Sequence, residues 1–272
     1  MLGSTETEPR VAVVTPCFND GTTLRETVAS VRALPAVEHV VVDDGSTDPE
    51  TVAALQELEA DGVRVLRQEH QGPARARQRA LEATTAPYVL PLDADDLALP
   101  DGIAALVRAL DEHPGAVLAW GDMQCFGRSV RLIHGPERLD PWLITHVNPL
   151  PYASLMRREA LEEIGGWGTV SGFEDWDLWM AFVERGWNGV HVPQPVIRYR
   201  VHGGRRWQRN AQRHDQIHRE LTQRHRSLVD ARPQNWRRST APLVLRLALP
   251  VIERLPVSSR AKVRLRGLIV KR

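Results

Sequence analysis

Lysine is nearly absent from this chain. Of 35 basic residues only Lys262 and Lys271 are lysines. An acidic pocket that works with a nearby lysine, as in phosphoryl-accepting receiver domains, finds no such partner in the body of the sequence. Arginine in place of lysine fits a GC-rich bacterial genome and carries no information about fold. Cysteine is equally scarce: Cys17 and Cys125 stand alone, without a CxxC spacing. That excludes a disulfide framework or a zinc-finger site and leaves two reduced thiols in a cytoplasmic protein as the expectation. No run of about 18 uncharged apolar residues occurs, so no membrane-spanning helix is expected. The opening MLGSTETEPR is too short and polar for a signal or transit peptide. Internal repeats and low-complexity tracts are missing. So is a Gly-rich loop bearing Arg and Lys within residues 11–25, which a nucleotidyltransferase would need.

What is present is a length of 272 residues, enough for a full core plus an appendage. The net charge of +1 conceals a split. Residues 1–204 carry 17 basic and 30 acidic side chains, and residues 205–272 carry 18 basic and four acidic. The reversal predicts a boundary near Gly203-Gly204, with a body over 10–204 and a basic extension over 205–272. An acidic body with a basic tail suggests that the tail meets a polyanion.

The first half alternates short apolar runs with helical periodicity. Strands are predicted at 11–16, 37–43, 63–68 and 88–93. Helices are predicted at 22–34, after a cap at Ser46, Thr47 or Asp48, at 72–84 and at 100–113, with Pro49 and Pro73 suited to first turns. This alternation predicts an α/β fold, a mostly parallel Rossmann-like sheet flanked by helices. The second half is less regular: a strand at 116–123, strand and helix over 153–168 ending in glycine, a helix at 174–187 and a last strand at 196–204. Ligands of such sheets bind beyond the carboxyl ends of the strands. Pro16 to Asn19, Asp43-Asp44 and Asp93 to Asp96 all fall at those ends, so they are expected to share one pocket.

In PYVLPLDADDLALP, Asp93, Asp95 and Asp96 follow a buried strand without a break. Asp93 and Asp95 are two apart, so an extended backbone points both to one side. Hard oxygen ligands on a short loop suit Mg²⁺ or Mn²⁺, which retain open positions for water and phosphate oxygens. The competing reading is an acidic turn that caps the next helix.

VVTPCFND, VVVDDGSTD, QGPARARQRAL, LPLDADD and GFEDWDLW occur in this order, and over about residues 10–202 the chain resembles family 2 glycosyltransferases. The resemblance implies an inverting enzyme of the GT-A fold, an NDP-sugar donor with UDP the commonest, and Mg²⁺ or Mn²⁺ on the DxD segment. It implies that Pro16 and Phe18 pack against base and ribose, and that Asp44 or its neighbour Asp43 hydrogen-bonds uracil and ribose. Arg77 would help hold the nucleotide and diphosphate, although Gln78 stands where the family usually has Asn. Asp93 would lie near the donor ribose, Asp95 would ligate the metal, and His202 would complete that site. Asp175 matches the general base, with Glu174 and Asp177 as rivals; Glu174 and Trp176 are candidate acceptor contacts. Asp177 lies about 200° around a helix from Asp175, so only one of them should face the pocket. The implied reaction is a single in-line displacement, which inverts the anomeric carbon and needs no covalent nucleophile. The acceptor would be a hydroxyl of a glycan or lipid-linked molecule, in polysaccharide or cell-envelope synthesis.

The extension, with a cationic helical pattern over 205–226 and an apolar stretch over 241–257 interrupted by Arg246, Pro250, Glu253 and Arg254, allows two readings. It lies on an anionic membrane surface as a peripheral element at the inner face of the cell membrane, or it packs against the acidic body. Nucleic acid is not expected, because no recognition module accompanies the charge. The functional alternative to catalysis is a non-catalytic sugar-nucleotide or polyanion-binding module of the same fold.

Overall fold

The computed structural model describes residues 8–168, 172–202 and 205–270. Gly203 and Gly204, where the charge balance reverses, and residues 1–7 of the opening segment lie outside these residues.

The first half builds as its periodicity predicts. Strands β1 (Val11–Cys17), β2 (Val37–Asp43), β3 (Arg64–Arg67) and β4 (Tyr88–Pro91) alternate with helices α1 (Gly21–Arg32), α2 (Pro49–Ala60) and α3 (Pro73–Glu82). Pro49 and Pro73 occupy first turns, where the missing N–H is not needed. Asp48 caps α2 by accepting from the Thr51 backbone N–H at 2.9 Å. After β4 come a two-residue strand β5 (Leu97–Ala98), α4 (Pro100–Glu112), the long β6 (Ala116–Gly127) and the short β7 (Arg131–Ile133). A 3₁₀ turn (Leu143–Thr145), β8 (Leu155–Arg157), α5 (Arg158–Glu163), α6 (Glu174–Glu184) and β9 (Asn188–Val201) complete the body. The extension is helical: α7 (Arg205–Arg224), α8 (Arg226–Asp230), α9 (Arg232–Arg238), α10 (Leu243–Arg254) and α11 (Ser259–Val270).

The described strands form one sheet in the order β3-β2-β1-β4-β8-β6-β9-β5, with β7 paired to β6. It is parallel across β3-β2-β1-β4 and again between β6 and β9, while β8 runs antiparallel between β4 and β6. The last strand begins at Asn188, eight residues before the sequence-predicted start, and pairs with β6 through register shifts between Ala116 and Met123. Residues 188–195 alternate weakly in polarity, which hides them from a period-two reading. Helices cover both faces. On one face Leu24, Val28, Leu55 and Leu58 of α1 and α2 pack with Val41 and Val65, and Leu106 and Leu110 of α4 with Leu90 and Val196; on the other, Ala76, Ala80 and Leu81 of α3 pack with Val14, Val40 and Val42.

The extension packs against the body. Ile217, Leu221 and Leu228 join the cluster that holds Trp176, Trp179 and Phe182 of α6. Leu245 and Leu249 of α10 pack with Trp142 and Val147. Acidic groups of the body receive its donors: Asp140 accepts from Ser239 Oγ at 2.7 Å and from the Thr240 N–H at 2.9 Å. Asp177 and Glu184 pair with the two ring nitrogens of His225 at 2.8 and 2.9 Å.

Pro250, one of the residues that interrupt the apolar stretch, lies inside α10, which continues through it to Arg254. Proline removes the N–H that would bond the carbonyl four residues earlier. That carbonyl, Arg246 O, receives the Trp236 indole N–H at 3.4 Å, and the Arg246 guanidinium lies 4.1 Å over the same ring. The orphaned acceptor is thus supplied from α9.

Because Leu249 is fully buried between extension and body, Leu249→Ala should lower the unfolding free energy by about 2–5 kcal/mol in a single cooperative urea transition. A variant that unfolds at the wild-type midpoint would show that the extension is not integral to the fold.

Candidate active site

The site lies at the carboxyl ends of β1, β2 and β4, where α6 and the end of β9 close around the loop after β4. Two latches fix the corner formed by the loops after β1, β2 and β3. Asn19 follows β1 with φ of 57°, a left-handed conformation that Asn tolerates. Its Oδ1 accepts the backbone N–H groups of Thr47 and Asp48, each at 2.9 Å, tying the loops after β1 and β2 together. Asp44 ties the loop after β3. Its carboxylate accepts from Gln68 Nε2 at 2.7 Å, the Gln71 N–H at 2.9 Å and the Gly72 N–H at 2.8 Å, with His70 Nδ1 at 2.9 Å. Gly72 has φ of 91°, a conformation a side chain would strain.

The two acids proposed for the base are thereby distinguished. Asp44 is buried and engaged on both oxygens. Asp43 accepts the Ser46 N–H through Oδ1 at 2.9 Å, and the described residues give its second oxygen no partner. Pro16 lies within β1, and Phe18 just beyond it is exposed, stacked on the His70 ring at a centroid distance of 4.0 Å.

Each carboxylate after β4 has its own partner. Arg77 of α3 is buried; its Nη2 meets Asp93 Oδ1 at 2.5 Å and its Nη1 meets Glu174 Oε1 at 2.7 Å. One guanidinium therefore joins the end of β4 to the first turn of α6. The two carboxylates raise its pKa further although burial opposes the charge. Asp95 Oδ2 lies 2.8 Å from His202 Nε2. Asp96 is fully buried, accepting the Tyr152 hydroxyl at 2.5 Å and the Arg200 N–H at 2.6 Å. Burial, then repulsion from Asp93, holds Asp95 above the usual carboxylate range, and burial with both neighbouring charges lifts Asp96 well above it.

Asp175 differs. It accepts Asn148 Nδ2 at 2.8 Å through Oδ2 and the Trp176 N–H at 2.8 Å through Oδ1, both neutral donors. Loss of solvent, then the adjacent Glu174 charge, pushes it up to about 6. Asp177 points away, bonded to His225 and facing Arg224 Nε at 3.4 Å, as the helical angle required.

Two acceptor-side expectations are corrected. Trp176 is fully buried and its indole N–H bonds the Ile144 carbonyl at 2.7 Å, so it is a core residue and cannot stack on a sugar. Glu174 is buried and committed to Arg77 and to the Gly172 N–H at 3.1 Å, which leaves it no acceptor role. Gln78 Oε1 accepts the Trp167 N–H at 3.1 Å and so braces the loop after α5. The sequence reading did not single out His70, Asn148, Tyr152 or Arg200. Asn148 and Tyr152 stand in a segment without a motif, His70 and Arg200 beside segments whose other residues drew the assignment, and all four reach the site through tertiary packing.

A divalent ion fits the donor set. Asp95 and His202 already converge, and the buried, mutually repelling carboxylates of this loop call for positive charge. Among the described residues no group of three or more His, Cys, Asp or Glu side chains forms a complete cage. The remaining positions would fall to water and diphosphate oxygens, as is usual for Mg²⁺.

The sheet order, with an acidic loop at the carboxyl end of its central strand, defines an α/β fold with a mixed, mostly parallel sheet flanked by helices. The glycosyl transferase family 2 model matches residues 12–173, and the chain belongs to that family. The chain is 29% identical over 208 residues to the putative teichuronic acid biosynthesis glycosyltransferase TuaG of Bacillus subtilis, covering 72% of this chain and 81% of that protein. Among curated relatives it matches, the chain spans from 16% to 81% of their length. Its fold superposes on Staphylococcus aureus TarS 1-349 in complex with UDP-GlcNAc with a TM-score of 0.64, 17% identity, 96% of this chain and 76% of that one. For the mannosyltransferase PcManGT of Pyrobaculum calidifontis, in complex with GDP-Man and Mn²⁺, the TM-score is 0.57 at 20% identity, over 97% and 88%.

Removing the shared guanidinium leaves the buried Glu174 and the half-buried Asp93 without their common cation. Arg77→Leu should therefore destabilise the protein by about 3–5 kcal/mol at pH 7 in chemical denaturation. A loss under about 1 kcal/mol, the level of an exposed pair, would contradict the bridge.

Proposed function

We propose that the chain is a metal-dependent inverting glycosyltransferase that moves a sugar from an NDP-sugar, UDP-linked first among candidates, to a hydroxyl of a glycan or lipid-linked acceptor. The observation that carries this reading is the contrast among the site's carboxylates. Asp93, Asp95, Glu174 and Asp177 each face a cationic or imidazole partner and Asp96 is sealed from solvent beneath Tyr152 and Arg200, whereas Asp175 is only half-buried, is held by neutral donors and has a proton affinity suited to a base near neutrality.

In this reading residues 10–204 are the catalytic domain and 205–272 an extension docked on it. Phe18 with His70 forms the platform for the base, Pro16 shapes the strand end beneath it, and Asp43 receives base or ribose donors. Asp44 acts one step removed, holding the 68–72 loop in place. Asp93 faces the ribose while Arg77 fixes its orientation. Asp95 and His202 would hold Mg²⁺ or Mn²⁺. When bound, the ion would supply charge neutralisation for the departing diphosphate. Asp175, oriented by Asn148, takes the proton from the acceptor hydroxyl as that oxygen attacks the anomeric carbon. The donor–metal pairing is supported by the GDP-Man and Mn²⁺ held by the mannosyltransferase and by the UDP-GlcNAc held by TarS. The chain then works in the cytoplasm, at the inner face of the cell membrane where a lipid-linked acceptor is presented.

Two measurements test this reading. In a thermal-shift screen with Mn²⁺, at least one of the UDP-, GDP- or dTDP-sugars should raise Tm, and EDTA should abolish the effect; no shift with any donor would refute it. With the donor so identified, kcat/KM for transfer or donor hydrolysis should rise with pH through an inflection near 6 and level off above it, because the base must be ionised. Asp175→Asn should lower the rate about 10²–10⁴-fold and keep the Tm shift. A variant that retains its rate would remove Asp175 from the mechanism.

A further inference from the structure

The extension has a second side that the body does not cover. On α10, Leu245, Leu249 and Ile252 face inward. The opposite arc is apolar too: Leu243 is 59% exposed, Val244 63%, Leu247 58% and Val251 59%. At 100° per residue these four lie within an arc of about 100°, facing away from the buried three. Val257 in the connection after α10, and Leu265 and Leu268 on α11, are also exposed, and α11 packs beside α10. Seven large aliphatic side chains on adjoining elements exceed the scattered apolar exposure of an ordinary surface.

The charge around them has one sign. Arg254, Arg260 and Arg264 are exposed, and among the described residues no carboxylate pairs with them. The only acid in residues 241–272 is Glu253. It faces inward, 2.6 Å from His146 Nδ1 and 3.6 Å from His218 Nε2 and Arg266 Nη2. The outer face of α10 and α11 therefore presents leucine and valine beside arginine with no acidic side chain between them. A second copy of this face would repel it electrostatically. An anionic bilayer complements both features: acyl chains accept the aliphatic side chains, and phosphate headgroups accept the guanidinium groups.

We propose that the outer face of α10 and α11, centred on Leu247 and Val251 and flanked by Arg254 and Arg264, docks the enzyme flat on an anionic lipid bilayer. This rests on the reading above only in placing the enzyme at a membrane. It also resolves the two readings of the extension, because one side of the same helices packs on the body while the other side meets lipid.

The experiment is co-sedimentation of the full chain with phosphatidylglycerol–phosphatidylcholine vesicles and with phosphatidylcholine vesicles, without donor or acceptor. Binding to the anionic vesicles is expected to exceed binding to the neutral ones at least tenfold and to weaken as salt rises. Leu247→Glu with Val251→Glu should reduce it at least tenfold, as should Arg254→Gln with Arg264→Gln. Both pairs are solvent-facing, so melting temperature and donor hydrolysis in solution should match the wild type. Equal binding by all variants, or no binding to anionic vesicles, would overturn the proposal. So would a dimer in light scattering that the glutamate pair dissociates while vesicle binding is absent, which would assign the face to a second copy. In every one of these cases donor hydrolysis reports separately on the glycosyltransferase reading.

Discussion

The catalytic end of the molecule depends on one guanidinium. Arg77 arises from α3, reaches under the sheet end and joins Asp93 at the tip of β4 to Glu174 at the start of α6. These carboxylates are far apart in sequence and belong to elements that share no backbone pairing. Without a fork able to serve both at once, their like charges would separate the elements. Lysine, a point charge, cannot bridge them in this way. Asp175 is set by the same contact, because it follows Glu174 on a helix whose first turn is pinned.

The fork also illustrates how the site handles an excess of negative charge. Imidazole answers Asp95, a phenol and a backbone N–H answer Asp96, and the guanidinium answers Asp93 and Glu174. What remains is one carboxylate, Asp175, stabilised by amides alone and raised by its neighbour. Its basicity thus follows first from its loss of solvent and then from the adjacent acid.

Much of this was legible in the residues. The β1-to-α4 alternation follows from apolar runs bounded by Pro49, Pro73 and Pro100, and the acidic clusters fall at strand ends because β/α units place their loops there. Family membership was legible because five ordered segments survive. The antiparallel insertion of β8 between β4 and β6 was not, since three-residue strands have no period to detect. The burial of Trp176 was not either: an indole at a helix start reads equally as platform or core until the Ile144 carbonyl is placed against it. The continuation of α10 through Pro250 needed Trp236 from another helix, which no local pattern encodes. Asn148 and His70 are single polar residues whose partners lie 27 and 26 positions away.

The latches at Asn19 and Asp44 bear on how a ligand would be received. Both hold loop backbone through side-chain acceptors before any nucleotide arrives. The entropy of ordering those loops is therefore already lost when the chain folds, and association need not supply it again. Under the proposed function such a corner would act as a rigid socket for the nucleotide, and selectivity among bases would rest on fixed shape instead of on closure around the guest.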